Sequence, residues 1–294
     1  MTTRKAVGVA GATVAVLLSS ACTATAAPPS PAHPLTFRVS KIAAAPSILA
    51  VLTTKGQVLA KQGSLDGLWT REYTGASQLA AASDSTYGPL IAVLTTKGQV
   101  LAKQGNLTAP WTSEYSRVSQ IGVATDSRHG PLIAIRTKTG RLLAKQGSLN
   151  GPWTSVYTRV ARFAVASDGP HGPLVAVLSP AGQALVKQGN LNGSWTSEYT
   201  GVSQLAAASN RQNGLLLAVL TTTGGKVEVK QGNLNGSWTS EYSKVSSVVV
   251  ATDPASGPLI AVLTRTGQAL VKQGSLDAPW ITEYTGSARV NVSG

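Results

Sequence analysis

Six times in this chain an ammonium, an amide, an indole, a carboxylate or its replacement, and a phenol follow one another at nearly fixed spacing. The second copy reads KQGNLTAPWTSEY, from Lys103 to Tyr115. A lysine and a glutamate can form an ion pair. A glutamine offers two donors and an acceptor, which suits a backbone group or a sugar hydroxyl. An indole can pack between elements or stack on the C–H face of a sugar. The candidate ligand-binding residues are therefore Trp69, Trp111, Trp153, Trp195, Trp238 and Trp280, with Gln62, Gln104, Gln146, Gln188, Gln231 and Gln273. Each set has a purely structural reading beside the binding one. Repetition in every copy fits a packing aromatic and a fixed hydrogen bond as well as it fits a row of sites.

The motif lysines are Lys61, Lys103, Lys145, Lys187, Lys230 and Lys272; Glu72, Glu114, Glu198, Glu241 and Glu283 follow their tryptophans by three residues. Copy three carries Val156 instead. Lysine and glutamate fall on neighbouring strands of one unit, so the expectation is a cross-strand pair within the unit, with Lys145 left over. Tyr73, Tyr115, Tyr157, Tyr199, Tyr242 and Tyr284 are expected on the tryptophan's face of the strand.

Catalytic constellations are missing from the sequence. His33 lies in a Pro-rich stretch, and His129 and His171 occupy matching loop positions in two copies. Two histidines make no convincing metal site, and no nucleophile-elbow, zincin or phosphate-loop motif occurs. The expectation is a chain that is no enzyme and carries no cofactor and no metal.

The elements that position these groups follow from the period. Successive tryptophans are 42 residues apart, except for one interval of 43, where Gly224-Gly225 replaces a single glycine. A strict period of this length marks a repeat architecture. Each copy holds four strand-length stretches bounded by Gly, Asp, Pro or Asn. In the fourth copy these are Ala161–Asp168, Gly172–Pro180, Gln183–Gly189 and Trp195–Thr200. The first is rich in small residues, as a strand near a converging axis must be. The second is apolar on both faces. The fourth sets Thr, Ser and Glu beside aromatics, as an outer edge does. This gradient predicts an all-β, six-bladed β-propeller of four-stranded antiparallel blades, with a double β-trefoil as the competing arrangement. Six units span about 38–286, and a further copy of the first strand, Ser287–Gly294, is left over as a candidate for closing the ring.

The unit WTSEYTGVSQLAAAS (Trp195–Ser209) followed by LLLAVLTTTGGKVEVKQG (Leu215–Gly232) resembles the tectonin and tachylectin-type propeller lectins over nearly all of residues 37–294. Those repeats often carry Trp-Gly in the second strand, where this chain has Ala-Val. The resemblance implies a ring of blades that binds sugars in shallow sites between neighbours.

Residues 1–26 read as a secretion signal: Arg4 and Lys5, an apolar stretch from Ala6 to Leu18, and Ala24-Thr25-Ala26 as a cleavage site. Residues 27–36 form a Pro-rich linker and 37–294 the repeat domain. The expected location is extracellular. Ser19-Ser20-Ala21-Cys22 also resembles a lipobox, which gives a lipoprotein anchored through Cys22 as the alternative. No transmembrane span is expected in the mature form.

The formal net charge is +13, which attracts anionic surfaces. The basic residues are scattered through the sequence with no cluster, so no specific nucleic-acid groove is expected. Expected partners are glycans or anionic cell-wall polymers. The alternatives are a protein-interaction propeller and a cationic scaffold held at the envelope by charge.

Overall fold

The structure, a computed structural model, describes residues 13–16 and 48–286 apart from 64–65 and 254–255. Six sheets form, each of four antiparallel strands in chain order. Blade one comprises 13–16 and 48–74, blade two 76–115, blade three 118–157, blade four 162–199, blade five 202–242 and blade six 245–285. From blade two to blade six, the first strands of successive blades lie side by side around an axis. This is the six-bladed propeller that the sequence predicts; each repeat makes its own sheet, which a trefoil unit does not. The extra first-strand copy, Ser287–Gly294, lies outside the described residues.

The polarity gradient explains the strand order. Second strands are sandwiched, and every residue of Gly172–Leu178 is buried. Fourth strands are largely solvated, as in Ile281–Thr285. First strands use alanine and serine where blades converge, as in ASQLAAASD from Ala76 to Asp84. In blade one, Thr13–Val16 pairs antiparallel with the strand Ile48–Leu52. This segment falls inside the stretch that the sequence reads as an export signal. Its Thr-Val-Ala-Val composition favours strand pairing.

Two sets of bonds lock the blades at opposite ends. At one end, the turn between second and third strands meets the connector from the preceding blade: Thr96 N–H donates to Gly75 C=O at 3.0 Å and Lys138 N–H to Arg117 C=O at 2.7 Å. The doubled Gly224-Gly225 falls in this turn of blade five, at φ of 74° and 59°. At the other end, Asp84 accepts the N–H groups of Thr86 and Tyr87 at 2.7 and 2.8 Å. Its second oxygen accepts the Thr125 hydroxyl of the next blade. Asp126 and Asp168 repeat this link with Ser167 and Ser209. Burial alone raises the Asp126 carboxyl, but hydrogen bonds from Ser167 and from the His129 and Arg128 N–H groups, with the His129 charge, bring it below the ordinary range.

Two glycines separate steric crowding from backbone conformation. Gly172 has φ of +74° and an added Cβ would lie 2.7 Å from Gly189 C=O, whereas Gly105 has φ of +101° and nothing within 4 Å. Gly105→Ala should therefore cost only the left-handed penalty of about 1–2 kcal/mol. Gly172→Ala should cost that and a backbone clash, so its urea midpoint should fall further. Equal midpoints would refute the close approach.

Candidate functional site

The repeated constellation builds the joints between blades. Four motif lysines reach back to the glutamate of the preceding blade: Lys103 to Glu72, Lys145 to Glu114, Lys230 to Glu198 at 2.5 Å and Lys272 to Glu241 at 2.5 Å. The same ammonium donates to a loop carbonyl of its own blade, as Lys230 does to Leu234 at 2.8 Å. It also sits 4.5–5.1 Å from the centre of its own blade's tryptophan ring.

The tryptophans close the same joints. Trp111, Trp153 and Trp280 donate their indole N–H to the backbone carbonyl of the preceding blade's glutamate at 3.1, 3.2 and 3.1 Å. Five tryptophans meet the preceding blade's tyrosine edge to face, with centroids 4.9–5.6 Å apart. Lysine and tyrosine thus occupy those five rings. Trp69 is the exception. It is 44% exposed, and Leu68 and Ile281 are exposed with it. The six glutamines are half-buried, and the side-chain nitrogens of Gln104, Gln146 and Gln188 are buried without a hydrogen-bond partner among the described residues.

Two expectations need correction. The lysine–glutamate pair joins blades instead of strands of one blade, and tryptophan and tyrosine point to opposite faces. The cause is a β-bulge. In blade four Ala184 pairs with Tyr199 but Leu185 with Ser197, so Glu198 is an extra residue. The extra residue resets the alternation, and both glutamate and tyrosine then face the next blade. The lysine without a carboxylate is accordingly Lys187, which faces Val156, and Lys145 is paired with Glu114. Lys187 is 4% exposed. It keeps Leu191 C=O at 2.9 Å and lies 4.5 Å from the Trp195 centroid, the shortest such approach in the described blades.

A second site lies at the hub. A cavity of about 660 Å³ opens among the starts of the inner strands, lined by Ser77, Gln78, Ser119, Gln120, Arg136 and Arg162, with an apolar floor that includes Leu79 and Ile121. Gln78 ties blade two to blade three, donating to Ser119 C=O at 3.1 Å and accepting Ile121 N–H at 3.1 Å. Gln120 donates to Phe163 C=O at 2.8 Å in the next blade. Neither arginine stands out by sequence motif. The available signal is that both break the repeat.

Charge is also sorted. The exposed Lys55, Lys97 and Lys138 stand in second-to-third-strand turns, and the exposed Arg117, Arg159 and Lys244 in connectors between blades. Both locations face the same end as the cavity. None of the twelve acidic residues falls in these turns or connectors. The expectation of unclustered charge is corrected: residues about 42 apart in sequence become neighbours on one face. The opposite end carries the Asp84, Asp126 and Asp168 turns.

His129 and His171 cap those turns, with Nδ1 3.1 Å from Asp126 and 3.0 Å from Asp168 respectively. Among the described residues no three His, Cys, Asp or Glu side chains group as metal ligands, and no helix is long and apolar enough to cross a membrane.

The propeller fold is shared with several solved structures. The chain is similar to the BP39L lectin from Burkholderia pseudomallei, with 14% identity and a TM-score of 0.58 over 81% of each chain. It is also similar to the SapL1 lectin, solved in complex with alpha methyl fucoside, with 13% identity and a TM-score of 0.55 over 84% of this chain and 96% of that one. BBS1N, solved in complex with ARL6DN, shares the fold at 12% identity and a TM-score of 0.54 over 82% of this chain and 77% of its own. No family profile matches the chain, and no curated protein matches it by sequence.

Burial holds the Lys187 ammonium below its ordinary value of 10.5. A base with a lowered folded pKa penalises folding fully below that folded value, and the penalty vanishes as pH rises to 10.5. Lys187→Met should therefore raise the unfolding midpoint at neutral pH, with a gain that shrinks toward pH 10.5. Lys103→Met should instead cost about 3–5 kcal/mol by leaving Glu72 buried and unpaired. Urea unfolding of both variants across this pH range is the check. A Lys187→Met midpoint as low as that of Lys103→Met would contradict the assignment.

Proposed function

We propose that this chain is a secreted carbohydrate-binding protein that recognises glycans or cell-wall polymers. The observation that carries the reading is a hydroxyl-, amide- and guanidinium-lined cavity at the hub of a fold shared with two lectins. Pockets of this size commonly hold small ligands, and converging polar groups at such a wall fix orientation. The fold alone supports the reading weakly, because BBS1N uses it in a complex with another protein. The chemistry of the wall favours a polyhydroxylated ligand over a protein surface. Gln78 and Gln120 each keep an amide hydrogen beyond their interblade bonds and Ser77 keeps acceptor lone pairs, while the partly exposed Leu79 offers apolar surface to C–H groups.

The hub is the principal sugar site in this reading. Tryptophan rings held between a lysine and a tyrosine have little face left for a sugar, and Trp69 is the ring most open to solvent. In this reading residues 1–26 direct export, or Cys22 anchors the domain, and processing there removes Thr13–Val16 from its pairing with Ile48–Leu52, so the inner position of blade one passes to another strand.

A glycan array probed with purified protein at low and high salt tests this. Binding should survive high salt and yield to a free sugar, since hydrogen bonding and apolar contact are screened far less than exposed charge. Calorimetry should give one ligand per chain. Six equivalents would move the sites to the joints. Silence on every glycan, with capture of a protein partner instead, would replace the carbohydrate reading with the interaction-propeller one.

A further inference from the structure

The hub cavity lies where the repeat is broken. Five blades end the second strand in leucine, at Leu52, Leu94, Leu178, Leu220 and Leu263, and blade three has Arg136 there. The last four leucines are buried, so a guanidinium at this place carries a desolvation cost unless it is bonded. Arg136 is bonded on one side only. Its Nε donates to Val160 C=O at 2.5 Å and its Nη1 to Ser119 Oγ at 2.8 Å. These bonds fix the plane of the guanidinium at the cavity wall, and Nη2 makes no hydrogen bond among the described residues.

Arg162 makes a second departure. It stands where Gln78, Gln120 and Gln204 tie their blades to the next. Blade four gives up this tie. Arg162 is exposed on the cavity wall, and its guanidinium forms no hydrogen bond or ion pair among the described residues. Two neighbouring positions change with it. Gly122 replaces the alanine of Ala80 and Ala206, and Phe163 replaces the leucine of Leu79 and Leu205. The changes are coupled sterically, since a Cβ on Gly122 would lie 2.9 Å from the Phe163 ring. The inner strands of blades three and four are thus rebuilt around two guanidinium groups that face one cavity.

We propose that this cavity binds an acidic sugar residue of an anionic polysaccharide, with Arg136 and Arg162 on its carboxylate or sulfate and the serine and glutamine groups on its hydroxyls. The proposal deepens the carbohydrate-binding reading and rests on it. A guanidinium matches a carboxylate or sulfate with parallel N–H donors. A space of about 660 Å³ exceeds what a bare inorganic anion needs and suits one or two sugar residues. The neighbouring acidic residues of the chain then accommodate inside the ring of Lys97, Arg117, Lys138 and Arg159, whose field concentrates anions at the cavity mouth. The lining has no aromatic ring, which disfavours single-stranded nucleic acid, a ligand that needs stacking platforms.

The test returns each arginine to the residue of its sibling blades: Arg162→Gln and Arg136→Leu, in the full chain, with circular dichroism to verify folding. Galacturonate, hyaluronan and heparin oligosaccharides, neutral galactose oligosaccharides, short oligothymidylate and phosphatidylglycerol vesicles are titrated against each variant. The expected result is binding of at least one acidic oligosaccharide, weakened about ten- to hundred-fold by Arg162→Gln. Lys244→Gln, away from the cavity, should change only the salt dependence. Should Arg136→Leu unfold, Arg162→Gln alone carries the test. Acidic-sugar binding indifferent to Arg162→Gln overturns the proposal, as does failure of all three acidic oligosaccharides. If neutral oligosaccharides still bind, the carbohydrate reading survives that failure. If no glycan binds at all, both fall. Arginine-dependent binding of oligothymidylate or vesicles without sugar binding would make the cavity a general anion site and overturn both.

Discussion

The structure depends on a buried ammonium at each described joint between blades. A propeller blade is stable only against its neighbours, and a flat sheet-on-sheet contact would let blades slide. The motif lysine prevents sliding by having partners in two blades at once: the carboxylate of the preceding blade, and a loop carbonyl and an indole ring of its own, as Lys230 has in Glu198, Leu234 and Trp238. A buried ion pair contributes little net stability beside apolar residues of the same volume. It does impose geometry, because misplacing the joint strands a charge. The joint that lacks its carboxylate shows what remains without it: Lys187 keeps its carbonyl and moves closer to Trp195.

Antiparallel connectivity then sorts function from structure. Every blade sends its first-to-second and third-to-fourth loops to one end and its second-to-third turn and exit connector to the other. The first end is consumed by architecture. Asp84, Asp126 and Asp168 cap the turns and hold hydroxyls of the next blade, and turn glycines such as Gly172 press on glycines of the adjoining loop. The second end is closed by backbone bonds between turns and connectors, with side-chain ties such as Thr222 Oγ1 to Gly201 C=O and Arg136 Nε to Val160 C=O, and the tips of its turns and connectors carry exposed side chains. Arg117, Arg159 and Lys244 there even occupy left-handed backbone, at φ of 58–59°, where Gly75 and Gly201 stand in other connectors. Long basic side chains in a conformation that favours glycine sit on the face that carries the cavity.

Much of this fold was legible in the sequence because a period of 42 and a polarity gradient survive any local ambiguity. Blade number, strand order and the site of the inserted glycine all follow from them. The joints were legible only in composition. Lysine, glutamate, tryptophan and tyrosine were visible as a set, but their partners depend on one bulge at Glu198 and its counterparts, and a bulge leaves no mark in residue types. Alternation without it puts tyrosine on the tryptophan's face and keeps the ion pair inside a blade. The hub was least legible. Arg136 and Arg162 are ordinary residues in isolation, and their convergence requires knowing that positions in two different repeats meet at the axis. The basic face was hidden likewise, since its members are distributed one repeat apart.

That difficulty points to where specificity resides in a symmetric scaffold. A feature present in every blade cannot be separated from the requirements of the joint, because each joint needs the same contacts whatever the protein binds. The joint therefore accounts for Lys103, Trp111 and Tyr115, which contact the neighbouring elements directly. A feature present in one or two blades has the opposite status: the scaffold demonstrably folds without it in the others. Arg136 displaces a buried leucine, Arg162 forgoes an interblade hydrogen bond, and Gly122 makes room for Phe163. Each change is unfavourable or neutral for the ring, and all lie within two adjacent blades around one cavity. The repeat breaks elsewhere too, at Val156, at Gly224-Gly225 and at Ser247, but only around Arg136 and Arg162 do departures in two adjacent blades face one cavity.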